Sequence, residues 1–234
     1  MRTHPVDVYD YIYSWKDYAE EAKTLRRFLN QYGDGEISNI LEVACGTGRY
    51  LEHFQDIDCY GVDLCERSLQ YAQSRVPKGS FFCQDMQTIS LPDKMDAVLC
   101  VFGAIGYLHP ITERLTFLIR LADHLKKGGI LLIEPWVSVE NFQEGIPFVQ
   151  TYISPNFKVA RTVVPERKGS RCILSFSFLL ARSGWKVEAF DSVDELWLHS
   201  NEDLEIDLRT AGFKILDKKQ GFLDKSPIYV CEKL

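Results

Sequence analysis

The sequence predicts an α/β fold in which a doubly wound parallel sheet is followed, after its fifth strand, by an antiparallel β insertion. Three observations predict it. Five short apolar runs alternate with helical patterns, as βα units do. After Trp136 the pattern changes to longer runs separated by hairpin-type turns. The 234 residues fit one such domain with an insertion. Residues 1–136 then hold the βα units, 137–200 the insertion, and 201–234 a closing helix and two strands.

The elements follow in order. Val6 to Lys16 is crowded with aromatics, Tyr9, Tyr11, Tyr13 and Trp15, with Tyr18 close behind. They suit either a tail packed on the domain or an aromatic lid over a cationic ligand. Tyr18, Ala22, Leu25, Leu29 and Tyr32 share one helical face that ends at Asp34-Gly35. Ile40, Leu41, Val43 and Ala44 read as a strand buried on both faces. It closes on Cys45-Gly46-Thr47-Gly48, and Tyr50, Leu51 and Phe54 predict a helix directly after. Cys59 to Val62 is a second strand ending in Asp63, followed by a helix over Glu66 to Val76. The third strand, Ser80 to Cys83, ends in Gln84-Asp85-Met86, and the fourth, Asp96 to Phe102, in Gly103-Ala104-Ile105-Gly106. An amphipathic helix over Ile111 to Lys126 is expected to stop at Gly128-Gly129. A fifth strand, Ile130 to Ile133, then runs into Glu134-Pro135-Trp136.

In the insertion, Phe148 to Ile153, Lys158 to Val164, Cys172 to Ala181 and Trp185 to Leu198 read as strands. Turns fall at Glu166-Arg167-Lys168-Gly169 and Ser183-Gly184. Asn201 is the expected N-cap of the last helix, which ends at Gly212. The strands Phe213 to Leu216 and Pro227 to Cys231 complete the chain.

The net charge of −6 argues against a nucleic-acid substrate. Seven cysteines, an odd number without a C-x-x-C spacing, point to a reduced intracellular protein with no metal site. Met1 to Pro5 lacks the apolar core of a secretory leader, and no apolar run reaches membrane-spanning length. The expected location is cytoplasmic.

The chemistry gathers at the strand ends. Gly46 and Gly48 allow a sharp turn and close approach of a ligand to the backbone. A dinucleotide site needs a third glycine where Leu51 stands, and a phosphate-binding loop needs a Lys after Gly48. Asp63, at the end of the second strand, is placed to hydrogen-bond a ribose. The order glycine turn, acid, acid, glycine loop over four consecutive strand ends resembles the class I S-adenosylmethionine (SAM) methyltransferases, with a Rossmann-like sheet. Their motif I reads here Glu42-Val43-Ala44-Cys45-Gly46-Thr47-Gly48, with Ala44 in the first glycine's place.

The order of elements is most similar to the N-methyltransferases of nucleotide-linked amino sugars. The segments carrying this are Tyr9-Asp10-Tyr11-Ile12-Tyr13, Lys16-Asp17-Tyr18, Gln84-Asp85-Met86, Phe102-Gly103-Ala104-Ile105-Gly106 and Glu134-Pro135-Trp136 with Glu140-Asn141-Phe142. The resemblance implies SAM as cofactor, a small-molecule acceptor, and a homodimer or substrate wall formed by the insertion. It implies Ala44, Gly46, Gly48, Asp63, Phe102 and Tyr18 around SAM, Tyr18 on its carboxylate. It places Asp85 on the adenine amino group and Met86 on the adenine face. Around the acceptor we expect Tyr9, Tyr13 and Trp136, with Tyr107, His109 and Glu134 as the groups nearest the chemistry. Glu134 could orient an amine by its charge, or be a strand-end acid facing solvent. In those sugar enzymes a His usually follows the Ile-Gly pair; this chain has Tyr107 there and His109 two residues on. Open alternatives are an O-methyltransferase, an amino-acid N-methyltransferase, an RNA or protein methyltransferase, and a SAM-binding protein without turnover. Val101-Phe102-Gly103-Ala104 stands where nucleobase amino-methyltransferases carry N/D-P-P-Y/F.

Overall fold

The structure, a computed structural model, describes residues 6–223 and 226–234, apart from the Asp7 side chain. Met1 to Pro5, the stretch without an apolar core, lies outside the described residues.

The strands β1 (Asn39–Val43), β2 (Asp58–Asp63), β3 (Ser80–Cys83), β4 (Met95–Cys100) and β5 (Leu125–Ile133) are parallel. With β10 (Phe213–Gln220) and β11 (Pro227–Lys233) they form one sheet, ordered β10-β11-β5-β4-β1-β2-β3. Only β11 runs against its neighbours. The central strands are apolar at nearly every position because both faces are covered. Ile40, Ala97, Leu99, Ile130 and Leu132 pack with α2 (Tyr18–Tyr32) and α3 (Glu66–Arg75). Leu41, Val98, Cys100, Leu131 and Ile133 pack with α4 (Arg114–His124) and α5 (Asn201–Thr210) on the other face. Strand order reverses between β4 and β1, so a crevice opens at their carboxyl ends.

The insertion β6 (Phe148–Ile153), β7 (Phe157–Lys168), β8 (Arg171–Arg182) and β9 (Glu188–Trp197) is a four-stranded antiparallel sheet. Its inner face alternates cleanly, with Val159, Arg161 and Val163 buried on β7 and Ser192, Asp194 and Leu196 on β9. Val8 and Ile12 of the short helix α1 (Val6–Ile12) share its core. The insertion therefore stands over the crevice, with α1 between.

Four expectations are corrected. Residues 49–57 leave no room for a helix and its return, and only the 3-10 turn Leu51–His53 forms. The fourth helix stops at His124, not at Gly128-Gly129. The Lys-Lys-Gly-Gly stretch is the bulged start of β5, with Leu125 opposite Met95 and Lys126 paired to Asp96 at 2.6 Å. The last N-cap is Ser200, whose hydroxyl accepts from Asp203 N at 3.0 Å. The β7–β8 hairpin closes on Gly169-Ser170 alone, with Gly169 at φ +64°.

A buried cluster ties α4 and α5 to the turn after β4. Arg114 Nε donates to Asp207 at 2.6 Å, and Arg114 Nη1 lies 2.9 Å from His199 Nδ1. Arg always donates, so Nδ1 accepts and Nε2–H points to the Ile105 carbonyl at 3.3 Å. Burial, and then the Arg114 charge, lower the imidazole from its usual value to about 4. A depressed folded pKa means full stabilisation above the unfolded value of about 6.5, and loss as pH falls from there to about 4. The difference is on the order of 3 kcal/mol. Urea midpoints measured from pH 7 to pH 4 should fall over this window, and His199→Gln should flatten the fall. An unchanged slope in the variant would remove the assignment.

Candidate active site

The glycine turn is built by strain and contact together. Ala44 sits at φ +56°, Gly46 at +53° and Gly48 at +76°. A Cβ on Gly48 would come within 3.0 Å of Ala72 Cβ on α3, so that position needs both the missing atom and the left-handed backbone. Ala44 carries the same twist without being glycine and is strained for it. Asp63 locks the turn: its carboxylate accepts from Gly46 N at 2.8 Å and from Cys65 N at 2.9 Å. On the neighbouring strand end, Asp85 caps the turn Met86–Thr88 by accepting from Gln87 N at 2.8 Å. Met86 packs partly into the core beside it.

A pocket at this turn is lined by Tyr9, Tyr18, Glu42, Ala44, Arg49 and Phe102, among others. Glu42 is buried, and among the described residues its Oε2 has no hydrogen-bond partner. Burial, with the Asp63 charge behind it, holds its carboxyl well above the usual range. An orphaned buried acid oxygen suits a cationic group such as an α-ammonium. Arg49 supplies the complementary cation, its guanidinium 4.9 Å from the Tyr18 ring. Sequence reasoning passed over Arg49, although a charged residue directly after the glycine turn was a usable signal.

The aromatics near the N-terminus divide. Trp15, Tyr18, Tyr50, Phe102 and Phe222 surround the buried Lys16 ammonium, 4.1 Å from the Phe102 centroid, and Lys16 pairs with Glu21 at 2.9 Å. Trp15 and Tyr18 thus face a cation of the protein itself. Tyr9 and Tyr13 face inward, and α1 is latched to the glycine turn by Asp10, which accepts from Thr47 Oγ1 at 2.7 Å and pairs with Arg75.

Glu134 does not face solvent. It is fully buried. Oε2 accepts from Phe102 N at 2.8 Å, and Oε1 from Phe222 N and Leu223 N at 2.5 and 2.7 Å. Burial raises its pKa against the pull of these three donors. It is a clamp that holds Phe102 in its left-handed conformation, φ +59°.

Between the strand tips and the insertion lies a cavity of about 380 Å³. Tyr9, Tyr13, Tyr107 and Trp136 line it, and so do two charged groups not singled out from the sequence, Arg161 and Asp194. Trp136 is pressed onto the glycine loop, where a Cβ on Gly103 or Gly106 would lie 2.8 Å from it. His109 is not part of the wall: Nδ1 accepts from Ile111 N at 3.2 Å and the ring rests 4.2 Å from Trp197. The pocket and the cavity share Tyr9 and Phe102.

A methyltransferase-domain family profile matches residues 40–129, the stretch from β1 into β5. A dTDP-3-amino-3,4,6-trideoxy-alpha-D-glucopyranose N,N-dimethyltransferase of Streptomyces venezuelae is 32% identical over 213 residues, covering 89% of this chain and 90% of the relative. The chain belongs to this family of SAM-dependent methyltransferases. Among solved structures, the methyltransferase resembles Streptomyces venezuelae DesVI at a TM-score of 0.91, with 30% identity and both chains covered fully. It resembles SAM-bound CalS10, an amino pentose methyltransferase from Micromonospora echinaspora, at 0.84, with 26% identity over 94% of this chain and 92% of that one. The methyltransferase uses SAM and transfers its methyl group to a small-molecule amine. The orphaned Glu42 oxygen, the Arg49 cation and the twisted glycine turn are features this cofactor fits.

Proposed function

We propose that this methyltransferase N-methylates the amino group of a nucleotide-linked amino sugar. The observation that carries the reading is the shared wall: Tyr9 and Phe102 border both the glycine-turn pocket and the 380 Å³ cavity, so an amine in one can meet a methyl group from the other. Relatives named for dTDP-linked amino sugars support the acceptor class.

SAM supplies a methyl group already activated by its sulfonium charge. The chain's residues then have to bind, orient and exclude water, and orientation alone is worth about 7–11 kcal/mol. In this reading Glu42 and Arg49 hold the two charges of the methionine end, Ala44, Gly46 and Gly48 admit it to the backbone, and Tyr18 stands beside it. Asp63 takes the ribose and Asp85 with Met86 the adenine. In the cavity, Tyr9, Tyr13 and Trp136 exclude water. The Tyr107 hydroxyl and Asp194 accept hydrogen bonds from the amine's N–H, aiming its lone pair at the shared wall.

The net charge of −6 supports an acceptor that is not a nucleic acid. Val149, Ile153, Val164, Leu179 and Val193 are exposed on the outer face of the insertion, which supports a homodimer through it; a monomer in sedimentation would end that idea. All seven cysteines are free, which supports a cytoplasmic setting. Among the described residues no helix is long and apolar enough to cross a membrane. A tritiated-methyl assay against dTDP-amino sugars, amino acids and phenols tests the function. Label should enter the amino sugars; label confined to amino acids or phenols would replace this reading.

A further inference from the structure

Packing does not explain Arg161, which lines the cavity. It lies on the inner face of β7 and is 4% exposed. Nη1 donates to Tyr13 Oη at 3.0 Å, Nη2 to Gln150 Oε1, and the guanidinium sits 4.6 Å from the Phe176 ring centroid. All of these partners are neutral. Among the described residues Nε–H has no partner at all. Leaving a guanidinium buried without a counter-charge is costly, and a buried donor left unpaired adds to that.

The nearest candidate for a counter-charge in the same cavity is Asp194, and the strand register keeps it away. Arg161 stands opposite Phe178 and Asp194 opposite Leu174, four residues apart along β8. That is roughly 13 Å along the strand, with β8 itself between them. The cavity thus holds a cation at one end and a carboxylate at the other, with aromatic and aliphatic side chains between. Gln150 is Arg161's direct cross-strand neighbour, and its amide fixes the plane of the guanidinium. A planar, pre-oriented fork of N–H donors with one unpaired is suited to phosphoryl oxygens.

We infer that Arg161 anchors the phosphoryl group of the acceptor, so that this end of the cavity, beside Tyr13, reads the anion while the amine lies toward Asp194. The inference rests on the amino-sugar reading above and adds to it the residue that separates a nucleotide-linked amine from a free one. Tyr13 then does more than exclude water, because its hydroxyl, held by Nη1, sets the height of the fork above α1.

The test compares two acceptors with the same amino sugar, one carrying a nucleoside diphosphate and one a simple methyl glycoside. Arg161→Gln should raise KM for the diphosphate acceptor at least tenfold, leave kcat within about threefold, and leave KM for the glycoside unchanged; Arg161→Lys should recover part of the loss. Equal losses on both acceptors, or none on either, would overturn the inference, since a purely structural arginine cannot tell them apart. A second readout needs no functional variant. Thymidine diphosphate added to the wild-type protein should shift the Arg161 Nε–H resonance in nitrogen-15 NMR, and an unmoved resonance would also overturn it. If the wild type methylates neither acceptor, the amino-sugar reading fails, while the resonance still decides the anion site.

Discussion

Asp63→Ala should weaken SAM binding by at least about a hundredfold and leave the protein folded. The carboxylate accepts from two backbone donors, Gly46 N and Cys65 N, and has lone pairs left for ribose hydroxyls. Hydrogen bonds to a charged group contribute about 1.5–3 kcal/mol each. Removing the acid frees Gly46 from the twisted turn and removes the ribose partner together. A loss of about 3 kcal/mol in binding is roughly a hundredfold in Kd. The fold should survive because the side chain lies at a strand tip and is only half-buried. Asp63→Asn should fall between, since its amide oxygen keeps one donor while its NH₂ opposes the other. Calorimetry with S-adenosylhomocysteine measures this, and an unchanged Kd for the alanine variant would take Asp63 out of the cofactor site.

Glu134→Ala should cost more in stability than in chemistry. Three backbone N–H groups lose their acceptor at once, two of them 88 and 89 residues away in the chain. With partial relaxation the expected destabilisation is about 3–5 kcal/mol. For a domain of this size that is a fall in Tm of roughly 6–20 °C. Phe102 should lose its left-handed conformation, and with it the wall common to pocket and cavity. Glu134→Gln keeps an oxygen for Phe222 and Leu223 but turns an amide NH₂ toward Phe102 N, so its loss should be the smaller. Were Glu134 instead an orienting acid for the amine, the alanine variant would melt like the wild type and lose only turnover. A thermal melt beside a methyl-transfer assay separates the two.

Where local chemistry decides, the sequence was readable. The ends of β2 and β3 were marked because strand, acid and turn are neighbours in the chain, and the β7–β8 hairpin was marked by Gly169. The stretch after Gly48 misled because Tyr50, Leu51 and Phe54 have helical spacing, yet the return to β2 comes too soon for more than one turn. The start of β5 misled for a similar reason: Gly128-Gly129 is ordinary helix punctuation, but the Lys126–Asp96 pair pulls the chain into the sheet instead. Glu134 could not be read because its partners Phe222 and Leu223 are brought to it only by the sheet order. Arg161 and Asp194 could have been noticed as charges at inward positions of alternating strands, but the face that looks onto the crevice follows from how the insertion docks.

One short helix borders both compartments, and this has a kinetic consequence. Tyr9 of α1 lies between them, and the latch from Asp10 to Thr47 and Arg75 holds the helix down. Lifting α1 to replace a spent donor opens the acceptor's side as well. On an amine that takes two methyl groups the enzyme would therefore be distributive: the secondary amine escapes to solution and rebinds, and a time course would show it accumulate before the tertiary product.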